Sequence, residues 1–140
     1  MKKRFVVVGL GTFGASLVEA LHEEGCEVIA IDRQMANVEA VKDRATVAVQ
    51  LDATDASALR ALECGSATAA VVAMGEDFES SVLSVAALVE AGVKAIVARA
   101  RTERQARILK AVGASQVVEI ENEMGRRIGH SLATGGEPRR

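Results

Sequence analysis

The residues best placed to do chemistry lie near the N-terminus. Gly9-Leu10-Gly11-Thr12-Phe13-Gly14 has the spacing G-x-G-x-x-G, and an acid, Asp32, follows 18 residues after its last glycine. Gly9 lets the chain turn tightly as it leaves a strand, Gly11 lets backbone approach a pyrophosphate closely, and Gly14 allows the next helix to pack on the sheet. Unpaired N–H groups at the helix start, around Thr12 and Phe13, then face the phosphates, and the helix dipole favours their charge by about 0.3–1 kcal/mol. Asp32 is an acceptor for ribose hydroxyls and repels a 2′-phosphate, which disfavours NADP. Arg33 either tolerates that phosphate or lies solvated over the adenine face.

Three later positions converge on the same crevice. Asp52-Ala53 ends a strand where an adenine edge can be read by backbone and carboxylate, or else Asp52 or Asp55 caps the next helix. Met74-Gly75-Glu76-Asp77 ends another, with Gly75 giving a ligand room and Glu76 and Asp77 suiting the first turn of a helix. Arg99 meets a phosphate or a partner carboxylate. Arg101, Arg104 and Arg107 read as a solvated helix face.

Such a site needs strands and helices to hold it. Short, nearly continuous apolar bursts at 4–8, 28–31, 46–51, 70–74, 95–98 and 117–120 predict parallel strands buried on both faces. Between them run helical stripes such as Phe13, Leu17, Leu21 and Phe78, Val82, Val85, Val89, with a last helix over 123–133 carrying Met124, Ile128 and Leu132. Gly25, Gly92 and Gly113 serve as helix stops, and Thr54 or Asp55, then Thr102, as helix starts. The alternation predicts an α/β fold, a doubly wound parallel six-stranded sheet of order 3-2-1-4-5-6 with helices on both faces. This Rossmann-like arrangement places its ligand crevice above strands 1 and 4. Residues 1–133 form the domain. Residues 134–140, which hold the sole proline, read as a frayed tail or a cut linker.

Composition narrows the function. The net charge is −2, with three Phe and no Tyr or Trp, so neither duplex nor single-stranded nucleic acid is an expected partner. Cys26 and Cys64 form no CxxC pair and read as reduced thiols. The N-terminal apolar run passes straight into a glycine turn, so it is no signal peptide, and no stretch approaches the ~20 apolar residues of a membrane span. The expected location is the cytoplasm. Without tyrosine the Tyr/Lys catalysis of compact dehydrogenases is excluded, and His22 and His130 fall on surface faces. About ten residues follow the core, too few for a substrate domain, so the reading is a binding domain and not an enzyme. The alternatives are an NAD-dependent oxidoreductase fragment, a redox-sensing Rossmann module, or an assembly scaffold.

Over nearly its whole length the chain resembles a known family. VVVGLGTFGASLVEALHEEGCEVIAID, LDATD, VVAMGEDFESS, KAIVARA and ILKAVGASQVVEIENEMG are similar to the N-terminal RCK (TrkA-N) domain of Ktr/Trk-type regulators of bacterial potassium uptake. The resemblance implies a regulatory subunit that binds ATP, ADP or NAD(H), forms homodimers that build an octameric ring, and gates a membrane potassium channel or transporter from the inner face of the membrane. It assigns Gly9, Gly11 and Gly14 to the phosphates, Asp32 and Arg33 to ribose and adenosine, Asp52 and Ala53 to adenine, and Met74 and Gly75 to the switch point. It matches Glu121 to an acid that in some members contributes to a divalent-ion site between subunits. Two departures stand out. Thr12 occupies a position where many members carry an arginine that reaches a terminal phosphate, which puts ATP-over-ADP discrimination in doubt. The chain also stops where the family continues into a smaller C-terminal domain, as an excised piece or a minimal protein would. In longer relatives the last helix leads into a subunit crossover, which would make the Met124, Ile128, Leu132 stripe an interface.

Overall fold

In the computed structural model, which describes residues 2–136, strands and α-helices alternate, with a single 3-10 turn after the second and after the third helix. The strands are β1 (Arg4–Val8), β2 (Glu27–Asp32), β3 (Val47–Gln50), β4 (Ala69–Val72), β5 (Ile96–Arg99) and β6 (Gln116–Val118). The helices are α1 (Thr12–Glu23), α2 (Met35–Val41), α3 (Ala56–Ala61), α4 (Phe78–Glu90), α5 (Glu103–Val112) and α6 (Ile120–Ala133). All strand pairs are parallel and the order is β3-β2-β1-β4-β5-β6, as expected from the sequence.

The sheet's two faces are covered unequally. On one, α3, α4 and α5 bury Val6, Val8, Ala70, Val72, Ile96 and Ala98 together with Leu59, Leu88 and Leu109. Each of those leucines, removed from water completely, contributes about 1.5–3 kcal/mol. On the other, α1 and α2 pack Val18, Val38 and Val41 onto Val7, Val28 and Ala30. Val71, Val97 and Val118, further along that face, are only half-buried. No residue of α6 is buried, and Met124, Ile128 and Leu132 are 47%, 52% and 51% exposed. The stripe predicted for the last helix therefore has no cover within the chain.

Helix starts divide into two kinds. Asp55 accepts from Ser57 and Ala58 N–H at α3, Asp77 from Ser80 N–H at α4, and Thr102 from Gln105 N–H at α5. Thr54, the other candidate for the α3 cap, instead bonds Asp52. Among the described residues no side chain caps α1, α2 or α6. The stops behave as predicted, with Gly25, Gly92 and Gly113 all at positive φ.

Most strand boundaries lie one or two residues from expectation, β4 ending at Val72 and not Met74, and the largest shift is at the last helix. The sixth strand was predicted to reach Ile120, but pairing with β5 ends at Val118 and Ile120 opens α6, three residues before the predicted helix start at Glu123. β6 is an edge strand with one neighbour, and beyond Val118 the Glu119 carbonyl already accepts the first helical bond, from Glu123 N–H at 2.8 Å. Thr134–Gly136 leave the helix in a turn, and the rest of the predicted tail, 137–140, lies outside the described residues.

Candidate nucleotide site

A cleft of about 590 Å³ opens at the C-terminal ends of β1 and β4, where strand order reverses. Its size falls within the range of small-molecule sites. Crevices at this point of a doubly wound sheet form because the helices after β1 and β4 depart to opposite faces.

The glycine loop forms one wall, and its three glycines answer three different constraints. Gly9 sits at φ +92°, and a Cβ there would stand 2.6 Å from Met74 Cγ. At Gly14 a Cβ would lie 1.8 Å from the Gly9 carbonyl oxygen, so this glycine lets the helix close on its own loop and sits beneath the cleft, not in its wall. At Gly11 an added Cβ would meet nothing within 4 Å. The space it leaves is cleft, as a close approach to a ligand requires. The N–H groups of Gly11, Thr12 and Phe13 have no protein partner among the described residues. Donors without partners at a helix start, with the dipole behind them, attract an anion.

Asp32, the last residue of β2, is held in place. Its Oδ2 accepts from Leu10 N–H at 2.8 Å and from Asn37 Nδ2 at 3.3 Å, and its Oδ1 from Gln34 N–H at 2.8 Å. One acceptor direction on Oδ1 remains. Leu10 and Asn37 were not among the predicted site residues. A backbone donor carries no signal in its side chain, and Asn37 shows itself only once α2 is known to begin at Met35.

Further along, Asp52 follows β3 and does not cap α3. Its Oδ1 accepts from Thr54 N–H at 3.0 Å, Thr54 Oγ1 at 2.6 Å and Arg33 Nη2 at 3.4 Å. The Thr54 hydroxyl and N–H, and then the Arg33 charge, hold this carboxyl below its ordinary range. Its Oδ2 has no partner among the described residues. Ala53, buried, lines the same end. The Ser80 hydroxyl and N–H, with Arg33 further off, likewise depress Asp77, which caps α4.

Across the cleft, Met74, Gly75 and Glu76 line the switch point. The space that Gly75 was expected to leave for a ligand is partly taken by protein: a Cβ there would meet Arg99 Cζ at 3.0 Å. The Arg99 guanidinium lies 5.5 Å from the Phe13 ring centroid and is hydrogen-bonded to Glu121 on α6. Of the two earlier alternatives for Arg99, the structure fills the carboxylate one, from within the chain. Glu121 is at the rim, its carboxyl lowered by the bond from Arg99. Among the described residues no group of three His, Cys, Asp or Glu side chains is arranged to hold a metal ion.

His22 and His130 are exposed, as predicted, and Cys64 is buried with its thiol pushed up by burial. No described helix is long and apolar enough to cross a membrane.

Known proteins resemble this chain in sequence and in fold. The family model of the TrkA-N domain matches residues 5–120. Ktr system potassium uptake protein C of Bacillus subtilis is 38% identical over 134 residues, 96% of this chain and 61% of that protein. The chain thus spans about three-fifths of that relative. The TrkA-N domain of the inner membrane protein ybaL from Escherichia coli superposes with a TM-score of 0.82 at 22% identity, covering 94% of this chain and 98% of that one. The GsuK channel bound to NAD gives 0.80 at 17% identity over 92% of this chain and 23% of that one, and GsuK bound to ADP gives 0.78 at 16% identity over 92% and 34%. Those solved structures carry the fold alone, whereas the match from Phe5 through Ile120 takes in the glycine loop, Asp32, Asp52, the switch point and Arg99. This chain belongs to the TrkA-N domain family.

Proposed function

We propose that this chain is the nucleotide-sensing domain of a regulatory, non-enzymatic subunit that gates a membrane potassium channel or transporter from the cytoplasmic side. The observation that carries the proposal is the unfilled start of α1. Three N–H donors border the space beside Gly11, while Asp32 is already fixed to receive a ribose on Oδ1. The diphosphate of ADP, ATP or NAD(H) fits the first, its ribose the second, and the adenine edge the open Oδ2 of Asp52. That GsuK has been seen with NAD and with ADP supports the same ligand class. Gating follows if two ligands prefer two arrangements of the assembly to different extents, since a ligand that binds both equally shifts nothing.

The assembly we propose is a homodimer building to a ring. Its first contact is the apolar stripe of α6, set against the half-covered face of a second copy around Val71, Val97 and Val118. A divalent ion at Glu121 would draw its remaining ligands from another copy or from the nucleotide. Sedimentation at micromolar concentration should find a dimer or larger, and a strict monomer overturns this part.

Thermal unfolding with ADP, ATP, NADH and NADPH in turn tests the ligand class. At 100 times its dissociation constant a ligand adds about 2.7 kcal/mol, raising the midpoint by several degrees. ADP or ATP should stabilise and NADPH should not. Stabilisation by NADH alone, with hydride transfer to an added acceptor, would favour the oxidoreductase reading.

A further inference from the structure

The contact between Arg99 and Glu121 gives the nucleotide reading a regulatory consequence, and the inference rests on that reading. Arg99 ends β5 with its side chain 19% exposed, wedged between the Phe13 ring and the backbone of Gly75. Arg33, at the adenosine end, is already paired with Asp52. Arg101, expected on a solvated helix face, instead precedes α5 and lines the cleft, but it is exposed, so Arg99 is the half-buried cation of the α1 end. A guanidinium presents five N–H donors in a fixed fork. Among the described residues Glu121 takes Nη2, and Nε is buried with no partner. The fork is thus incompletely used, by a carboxylate whose side chain is 56% exposed and lies outside the cleft wall. A phosphate group fits such a fork with two parallel bonds and brings more charge than one carboxylate.

The other partner matters as much. Glu121 is the second residue of α6, a helix with no buried residue, so its bond to Arg99 ties the helix start to the cleft.

We propose that Glu121 is an internal competitor for the nucleotide: it holds Arg99 until a terminal phosphate takes the guanidinium, and the exchange frees the start of α6. A terminal phosphate carries up to two charges, whereas each phosphate of a dinucleotide is a singly charged diester. The exchange therefore favours ADP or ATP over NAD(H), and it transmits occupancy to the helix that bears the exposed apolar stripe.

The test is titration calorimetry of wild type and Glu121→Gln with ADP and with NADH, in EDTA so that no cation bridges ligand and carboxylate. Removing the competitor should tighten ADP about tenfold and NADH by less than about twofold. Hydrogen exchange at 123–126, the first bonded amides of α6, should quicken on adding ADP to wild type and be quick without ADP in the variant. A purely structural ion pair would instead lower stability and leave ADP affinity unchanged or weaker, which overturns the proposal while nucleotide binding by wild type stands. If neither protein binds either ligand, the nucleotide reading itself falls and this inference with it.

Discussion

At the end of the cleft where β2 and β3 finish, Asp32 spends three acceptor positions on Leu10, Gln34 and Asn37, and Asp52 spends one oxygen on Thr54 and Arg33. At the α1 end, where we propose the phosphates, the first N–H groups of the helix have no partner among the described residues. One end is braced by the protein and the other is left for a ligand to complete. Groups that brace the fold should register in stability without ligand, and groups left open should register only in binding. Glycine substitutions separate the two most sharply.

Gly14→Ala should have the largest effect on stability. Its Cβ would lie 1.8 Å from a backbone oxygen that cannot swing aside as a side chain can. Overpacking against backbone puts the loss at about 3 kcal/mol or more, seen as a lower unfolding midpoint or an insoluble product. Gly11→Ala should do the reverse. Gly11 has φ −70° and open space around it, so the unliganded midpoint should move by no more than a degree or two, roughly, while ADP affinity drops about tenfold or more. If the Gly11 variant unfolded early and still bound ADP, the division between braced and open ends would be wrong.

Asp32 sits on that division. In Asp32→Ala the Leu10 N–H loses its acceptor, at a cost of about 1–3 kcal/mol to the unliganded protein. Any adenine nucleotide should bind at least about tenfold more weakly as well. A variant that lost binding and kept full stability would show that the loop holds its shape without the carboxylate.

Much of this arrangement was legible in the sequence because its causes are local or periodic. Buried parallel strands leave continuous apolar bursts, and Gly9 and Gly25 are demanded by their own backbone angles. The pairing of Asp32 with a loop ahead of α1 follows from β1 and β2 lying side by side. What escaped depends on how elements sit against each other. Gly75 reads as room for a ligand until β5 brings Arg99 beside it, and Arg99 finds Glu121 only because α6 begins at Ile120. Val117, Val118 and Ile120 look like one apolar burst in sequence, yet the chain changes from strand to helix within it.

Away from the cleft, a cap should affect the fold and nothing else. Thr102→Ala removes the acceptor for Gln105 N–H at the start of α5, worth about 1 kcal/mol, and ADP affinity should be unchanged. Weaker ADP binding in this variant would mean that the start of α5 positions Arg101, which lines the cleft just ahead of it, and the open end would then extend further than the unpartnered donors mark.

The smallest effect concerns acid. Asp52 is held below its ordinary carboxyl range by Thr54 and then Arg33. Its folded state therefore prefers the charged form more than its unfolded state does. That contribution is fully present above the unfolded value of about 3.9 and disappears as pH falls through the lower folded value. The carboxylate is 52% exposed, so screening limits it to a few tenths of a kcal/mol, roughly. Asp52→Asn should flatten the stability profile slightly below about pH 4 and leave it unaltered at neutral pH apart from a constant offset. ADP should enlarge the difference between the two proteins if adenine uses Oδ2, because that bond adds a second reason for the carboxylate to stay charged in wild type alone. An unchanged difference would place adenine away from Asp52 and leave this acid to brace the loop after β3.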